Sequence, residues 1–180
     1  AGNFTVGKGY QMATAIALNG TGAAVEFTGN LNSGDITTAI RNWDLDDDAD
    51  MSDGSRFNLV SNPYLSFIYG NDNTDGTNNL IDVNSSVLHV NGKCFYVWDG
   101  DSYVTVNHAT TSSYQYIAPM QGFMVMAKTT GSNTNFKFTR AMQTTSGSND
   151  GIADGIMDPV DNAELFIGIS QNGKNRKTSN

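Results

Sequence analysis

FNLVSNPYL, residues 57–65, and KCFYVWDGD, residues 93–101, are the stretches on which the reading of the fold rests. Each is a short apolar run closed by turn chemistry, Asn62-Pro63 in the first and Asp99-Gly100 in the second. Runs of that length, bounded that way, read as interior strands of a β domain. Proline lacks an N–H and restricts the residue before it, so a ladder through Val60 must stop at Asn62. Asp99-Gly100 supplies the positive φ of a tight turn, which predicts a hairpin between Phe95–Trp98 and Tyr103–Val106. The two quoted stretches are expected to be partners.

Working outward, Tyr10, Met12, Thr14, Ile16 and Leu18 alternate with smaller residues at the period of a half-buried strand. Further strands are expected at Ala24–Thr28, Asp35–Trp43, Tyr64–Tyr69, Tyr114–Ile117, Phe123–Lys128, Phe136–Thr139 and Leu165–Ile169. One short helix is expected in Ile81–Val90, capped by Asp82 or Asn84. Short strands at this spacing predict an all-β chain, an antiparallel β-sandwich of jelly-roll type with at most one or two short helices. Its 180 residues read as a single domain, 1–180, a mature segment or a fragment cut from something longer.

Composition narrows the partners. A formal net charge of -8 repels phosphate backbones and anionic lipid. Neither nucleic acid nor direct membrane insertion is expected, since no apolar run approaches the roughly 18 residues of a span. Cys94 is the only cysteine and lies in an apolar strand pattern, where it reads as a small buried hydrophobe.

FNLVSNPYLSFI, NGKCFYVWDGDSYVTVN and YIAPMQGFMVMA, taken in order with the earlier GKGYQM and FTGNLNSGDIT, carry a family resemblance over roughly Gly7 to Met142. They resemble the region just upstream of the C-terminal sorting domain in surface and secreted proteins of the Bacteroidota exported by type IX secretion. The resemblance implies a β-sandwich, export, and a place on the cell surface or outside the cell. It implies no single activity. Leu65 and Met120 stand where other turn residues are expected, a departure read as minor, and the sorting domain is not part of this sequence.

Calcium is the sharpest chemical expectation from the residues themselves. Asn71, Asn73, Asp75, Gly76, Thr77, Asn79 and Asp82 fall at the ligand positions of a loop that wraps a hard cation in oxygens, with Asp82 where a bidentate glutamate would stand. Asp150, Asp154, Asp158 and Asp161 follow a related spacing. The run Asp44 to Asp53, with six aspartates including Asp46, Asp48 and Asp50, reads as a hydrated surface loop or as a third calcium segment. Carbohydrate binding is the second expectation, because exposed aromatic rings stack on sugars while Asn and Asp meet hydroxyls. Trp43, Tyr69, Tyr103, Tyr114 and Tyr116 are the candidates, and Trp98 is read as core.

No enzyme is expected. His89 and His108 lack zinc-ligand neighbours in sequence, and no nucleophile elbow or phosphate-binding glycine loop is present. The sequence therefore predicts a non-catalytic adhesion or carbohydrate-binding module of an exported bacterial surface protein. The alternative is a passive spacer that packs against neighbouring domains of the same parent. Exposed aromatics on one sheet face would favour the binder; apolar patches at the two ends would favour the spacer.

Overall fold

A computed structural model describes residues 3–11, 29–44, 55–71, 77–99, 101–110, 115–128 and 133–145, together with the backbone of 168–171 and 174–177. The strands are β1 (Ile36–Arg41), β2 (Phe57–Ser61), β3 (Phe67–Tyr69), β4 (Phe95–Trp98), β5 (Tyr103–Val106), β6 (Tyr116–Ile117), β7 (Gly122–Met126), β8 (Asn133–Phe138), β9 (Gln143–Thr144), β10 (Gly168–Gln171) and β11 (Lys174–Lys177). Every pairing is antiparallel: a four-stranded sheet β2-β7-β4-β5, a three-stranded sheet β6-β3-β9, and the pairs β1-β8 and β10-β11. The all-β antiparallel class is as expected. The strands expected at Tyr10–Leu18 and Ala24–Thr28 lie largely outside the described residues.

The expected partnership of the two opening stretches is corrected by β7. It pairs with β2 on one side (Val60 opposite Phe123) and with β4 on the other (Phe95 opposite Val125), so β2 and β4 are next-nearest neighbours. Local turn chemistry fixes the β4–β5 hairpin but is silent on strands brought together over long separations.

One core joins the sheets. Phe95, Val97, Val106, Phe123 and Val125 from the four-stranded sheet meet Ile40, Phe136 and Phe138 of β1-β8 and Ile68 and Ile117 of the three-stranded sheet. Edge-to-face ring contacts link Phe95 to Phe123 within the four-stranded sheet at 5.6 Å and Phe123 to Phe138 of β8 at 6.3 Å. Cys94 is buried, as expected, and burial pushes its thiol up.

The motifs that carry the resemblance turn out to knit this core. Asn62, 1% exposed, donates its amide to the carbonyls of Ser66, Ile117 and Ala118 and accepts the N–H of Tyr64. Its own N–H reaches the carbonyl of Gln121 at 3.0 Å. NPYL and IAPMQG thus form one corner. Tyr64 is fully buried and its hydroxyl donates to the carbonyls of Gly34 and Phe138, at 2.9 and 2.8 Å. Desolvation, with Asp35 nearby, pushes that phenol up to about 12.

Met120 is not a minor departure. At φ 62 it is the only non-glycine with positive φ among the described residues, a conformation in which an L side chain crowds its own backbone.

The helix is shorter than expected. It covers α1 (Leu80–Asn84), and its cap is Asn79, whose side chain accepts the N–H of Asp82. It stops because the chain beyond pairs along β7: Leu88 bridges Ala127, and the His89 N–H reaches the Met126 carbonyl at 3.0 Å. No helix among the described residues is long and apolar enough to cross a membrane.

Candidate functional site

Alternation along β4 and β7 sends Phe95, Val97, Phe123 and Val125 into the core, which leaves Tyr96, Trp98, Met124 and Met126 on the opposite face. That outer face is apolar too. β2 adds Phe57 and Leu59, opposite Met126 and Met124; β5 adds Tyr103, opposite Trp98. An antiparallel sheet with a solvated face ordinarily shows polar residues there.

Within the face, exposure is graded. Phe57, Leu59, Tyr96, Met124 and Met126 are half-buried. Phe57 and Tyr96 meet edge to face at 5.4 Å, and the Tyr96 hydroxyl donates to the Met126 sulfur at 3.0 Å. Burial raises the Tyr96 phenol far above its ordinary range, and the Cys94 thiol adds to the shift. Gly92 lies so close to Met126 that an added Cβ would sit 2.8 Å from its sulfur, and Gly9 packs on Leu59 in the same way at 2.5 Å. Main chain thus covers one half of the face.

The other half is open. Trp98 is 45% and Tyr103 56% exposed, their rings 5.1 Å apart at an interplanar angle of 66°. Tyr96 pairs with Met124, and extending that register by two residues sets Gly122 beside Trp98, with Ser61 beyond it on β2. No side chain rises from Gly122, so the indole borders a flat strip. At its end the Asp99 carboxylate accepts the N–H groups of Asp101 and Ser102 at 3.0 and 2.8 Å. Those bonds hold its carboxyl below the usual range. The strip offers two rings for stacking and carboxylate and hydroxyl groups at one end for directional hydrogen bonds.

The aromatic residues expected to bind do not converge. Tyr103 lies on this strip. Trp43 follows β1 and is capped by the Arg41 guanidinium, 3.6 Å from its ring centroid. Tyr69 and Tyr116 are brought together, paired across β3 and β6 with centroids 5.5 Å apart, but on the three-stranded sheet. Tyr114 lies outside the described residues. Trp98, read as core, is the residue the sequence reading missed; strand alternation from Phe95 would have placed it outside.

Of the calcium candidates, Asn73, Asp75, Asp46, Asp48, Asp50, Asp150, Asp154, Asp158 and Asp161 lie outside the described residues. Asn71 and Asp82 are brought within one imidazole of each other, because His108 sets Nδ1 against the Asn71 carbonyl and Nε2 against Asp82 Oδ1, both at 3.1 Å. The other Asp82 oxygen accepts the Asn79 amide. Asn71 is 5% exposed; its amide N–H groups reach the carbonyls of Asn107 and Thr110, while its Oδ1 is buried with no partner among the described residues. Among the described residues no three His, Cys, Asp or Glu side chains converge. Asp44, read as the start of a surface loop, is instead fully buried in an ion pair with Arg56, which also donates to His89 Nε2 at 3.2 Å. A carboxylate enters a core when a guanidinium meets it there.

The fold and the strip define an all-β domain with an aromatic outer sheet face. The chain belongs to a family described as a domain of unknown function, DUF8693, whose model matches residues 1–152. No curated protein and no solved structure matches the chain.

Proposed function

We propose that this domain is a non-catalytic carbohydrate-binding, adhesive module of an exported bacterial surface protein, working outside the cell. The observation that carries the reading is the Trp98–Tyr103 pair, both rings exposed and in edge-to-face contact across β4 and β5. Rings held by cross-strand pairing lose little freedom when a sugar stacks on them, and the hairpin carboxylates and hydroxyl supply direction. The net charge of -8 favours neutral glycans over anionic ones. Export by type IX secretion rests on the motif resemblance alone.

Calcium has a place in the proposal as a ligand of the segment between Asn71 and Asp82, supported by the buried Asn71 Oδ1, which has no partner among the described residues. The test is a screen of the 180-residue chain against glycans and polysaccharides, with calcium and with a chelator. Binding that Trp98→Ala and Tyr103→Ala abolish supports the reading; absence of binding in both arms removes it.

A spacer reading has its own observation. Leu31, Leu65 and Met120 are exposed apolar residues around the Asn62 corner, with Asn32 tied to the Pro63 carbonyl at 2.9 Å. Such a patch suits the flank of a neighbouring domain.

A further inference from the structure

The two edges of the four-stranded sheet are treated differently. At β2 the edge is closed by the start of the chain: the Gly9 N–H reaches the Leu59 carbonyl and the Ser61 N–H the Gly7 carbonyl, both at 3.0 Å, and Lys8 bridges Val60. At the other edge β5 has β4 as its one neighbour. The Asp99 N–H meets the Ser102 carbonyl at 3.0 Å, which sets the alternation of bonded pairs along the hairpin, Val97 with Val104 and Phe95 with Val106. Tyr103 and Thr105 therefore aim their N–H and C=O groups away from β4, and these groups have no partner among the described residues.

The open stretch is short and bounded. On one side the outward groups of Asn107 are already used, its N–H on the Thr110 hydroxyl at 3.1 Å and its carbonyl on the Asn71 amide at 2.6 Å. On the other the Asp101 N–H is held by the Asp99 carboxylate. Between these limits YVTV carries no charge, no proline and no bulge, the devices that ordinarily keep an edge from pairing. Tyr103 and Thr105 are exposed, and Val104 is half-buried against the core.

We propose that β5 pairs with β5 of a second copy of this chain, antiparallel about a two-fold axis at Val104, so that two four-stranded sheets join edge to edge. Register carries the argument. A window of two outward residues matches itself in one antiparallel alignment, Tyr103 opposite Thr105 and Thr105 opposite Tyr103, in which every free main-chain group of both copies is bonded. Val104 then meets its own copy on the core side of the sheet, as a non-bonded pair whose side chains approach closely. Charge favours the same orientation. Antiparallel pairing sets the acidic hairpins at opposite ends, with Asp101 beside the neutral Asn107 of the second copy, whereas parallel pairing would bring aspartates together. The formal charge of -8 on each copy opposes approach at long range, so association is weak and strengthens with salt. A few main-chain bonds over a small contact area suit a dissociation constant of about 100 μM. The pairing stands apart from the glycan reading, and its effect on that reading would be to set two Trp98–Tyr103 pairs on one continuous face.

The experiment is sedimentation equilibrium of the full chain from about 10 μM to about 1 mM, at low and high salt, with amide hydrogen exchange read by NMR over the same range. The mean mass should rise towards that of two chains, more so at high salt. Exchange at Tyr103 and Thr105 should slow several-fold with concentration, while Val104 and Val106, bonded within the hairpin in either state, should change less. Thr105→Pro removes an N–H that faces away from β4, so the hairpin keeps its bonds and the variant should stay monomeric with an unchanged circular dichroism spectrum. A monomer at every concentration and salt, or a dimer that a folded Thr105→Pro retains, would overturn the proposal. So would exchange at Tyr103 and Thr105 that ignores concentration, a readout on the unaltered chain that decides the matter even where the proline variant fails to fold.

Discussion

The four-stranded sheet turns Phe95, Val97, Val106, Phe123 and Val125 to one side and Tyr96, Trp98, Tyr103, Met124 and Met126 to the other. Both sides are apolar, but they differ in kind. The inner residues are hydrocarbon only and at most 2% exposed. The outer ones carry a hydroxyl, an indole N–H or a thioether and grade from half-buried to open, with Phe57 and Leu59 of β2 the hydrocarbon exceptions beside them. The inner face stabilises by leaving water altogether, and the outer face remains wet and can still give up water to a ligand. Apolarity alone therefore does not mark a core; apolar residues with a polar end, on a face that nothing fully covers, mark a surface kept for contact.

Adjacent residues of β7 sharpen the contrast most. Val125→Lys places an unpaired charge in the core and should cost about 5 kcal/mol or more, enough to unfold the domain, as judged by circular dichroism. Met124→Lys, one residue earlier, should cost about 1 kcal/mol, because the lysine stem can lie along the half-buried face with its ammonium in water. Equal outcomes would break the distinction. Next comes Phe123→Ala, which removes a ring in contact with both Phe95 and Phe138 and should cost about 3 to 5 kcal/mol in a urea melt.

Tyr64 allows the inner side to be probed by pH. Its phenol is raised to about 12 from 10.0, so the folded state holds its proton more tightly than the unfolded state. That contribution is fully present below pH 10 and is lost as pH rises towards 12. Denaturation midpoints should fall across this window in the wild type and fall less in Tyr64→Phe. On the outer side, Trp98→Ala and Tyr103→Ala should each shift stability by less than about 1 kcal/mol while removing polysaccharide binding. A large loss of stability would make the strip structural. The smallest effect is at Met120, where Met120→Gly should relieve the positive φ and stabilise by roughly 0.5 to 1 kcal/mol in thermal unfolding.

Much of the fold was legible because its signals are local. Asp99-Gly100 marked the β4–β5 hairpin, and an apolar run closed by Asn62-Pro63 marked β2. The order of the sheet was not, since nothing within Phe57–Ser61 says that Gly122–Met126 will lie beside it. Asp44 was grouped with the aspartates that follow it because its partner Arg56 lies twelve residues away. The aromatic strip was half legible. Tyr103 stood out as exposed, but Trp98 was absorbed into a motif whose neighbours Phe95 and Val97 are core. The neighbourhood of Asp35, Val83 and Thr139 left no trace in sequence, because only the pairing of β1 with β8 and the packing of α1 against β8 gather them.

The place of β7 in the sheet sets an order of events as the chain is made. β4 and β5 are joined by a tight turn and can close as soon as both exist, but β2 must wait for a strand that begins more than sixty residues later. Closing that loop costs entropy before any core contact compensates it, which slows folding. Until Gly122–Met126 arrives, Val60 and Phe95 lack the strand that lies between β2 and β4. The pairing that completes the sheet thus falls late in the sequence.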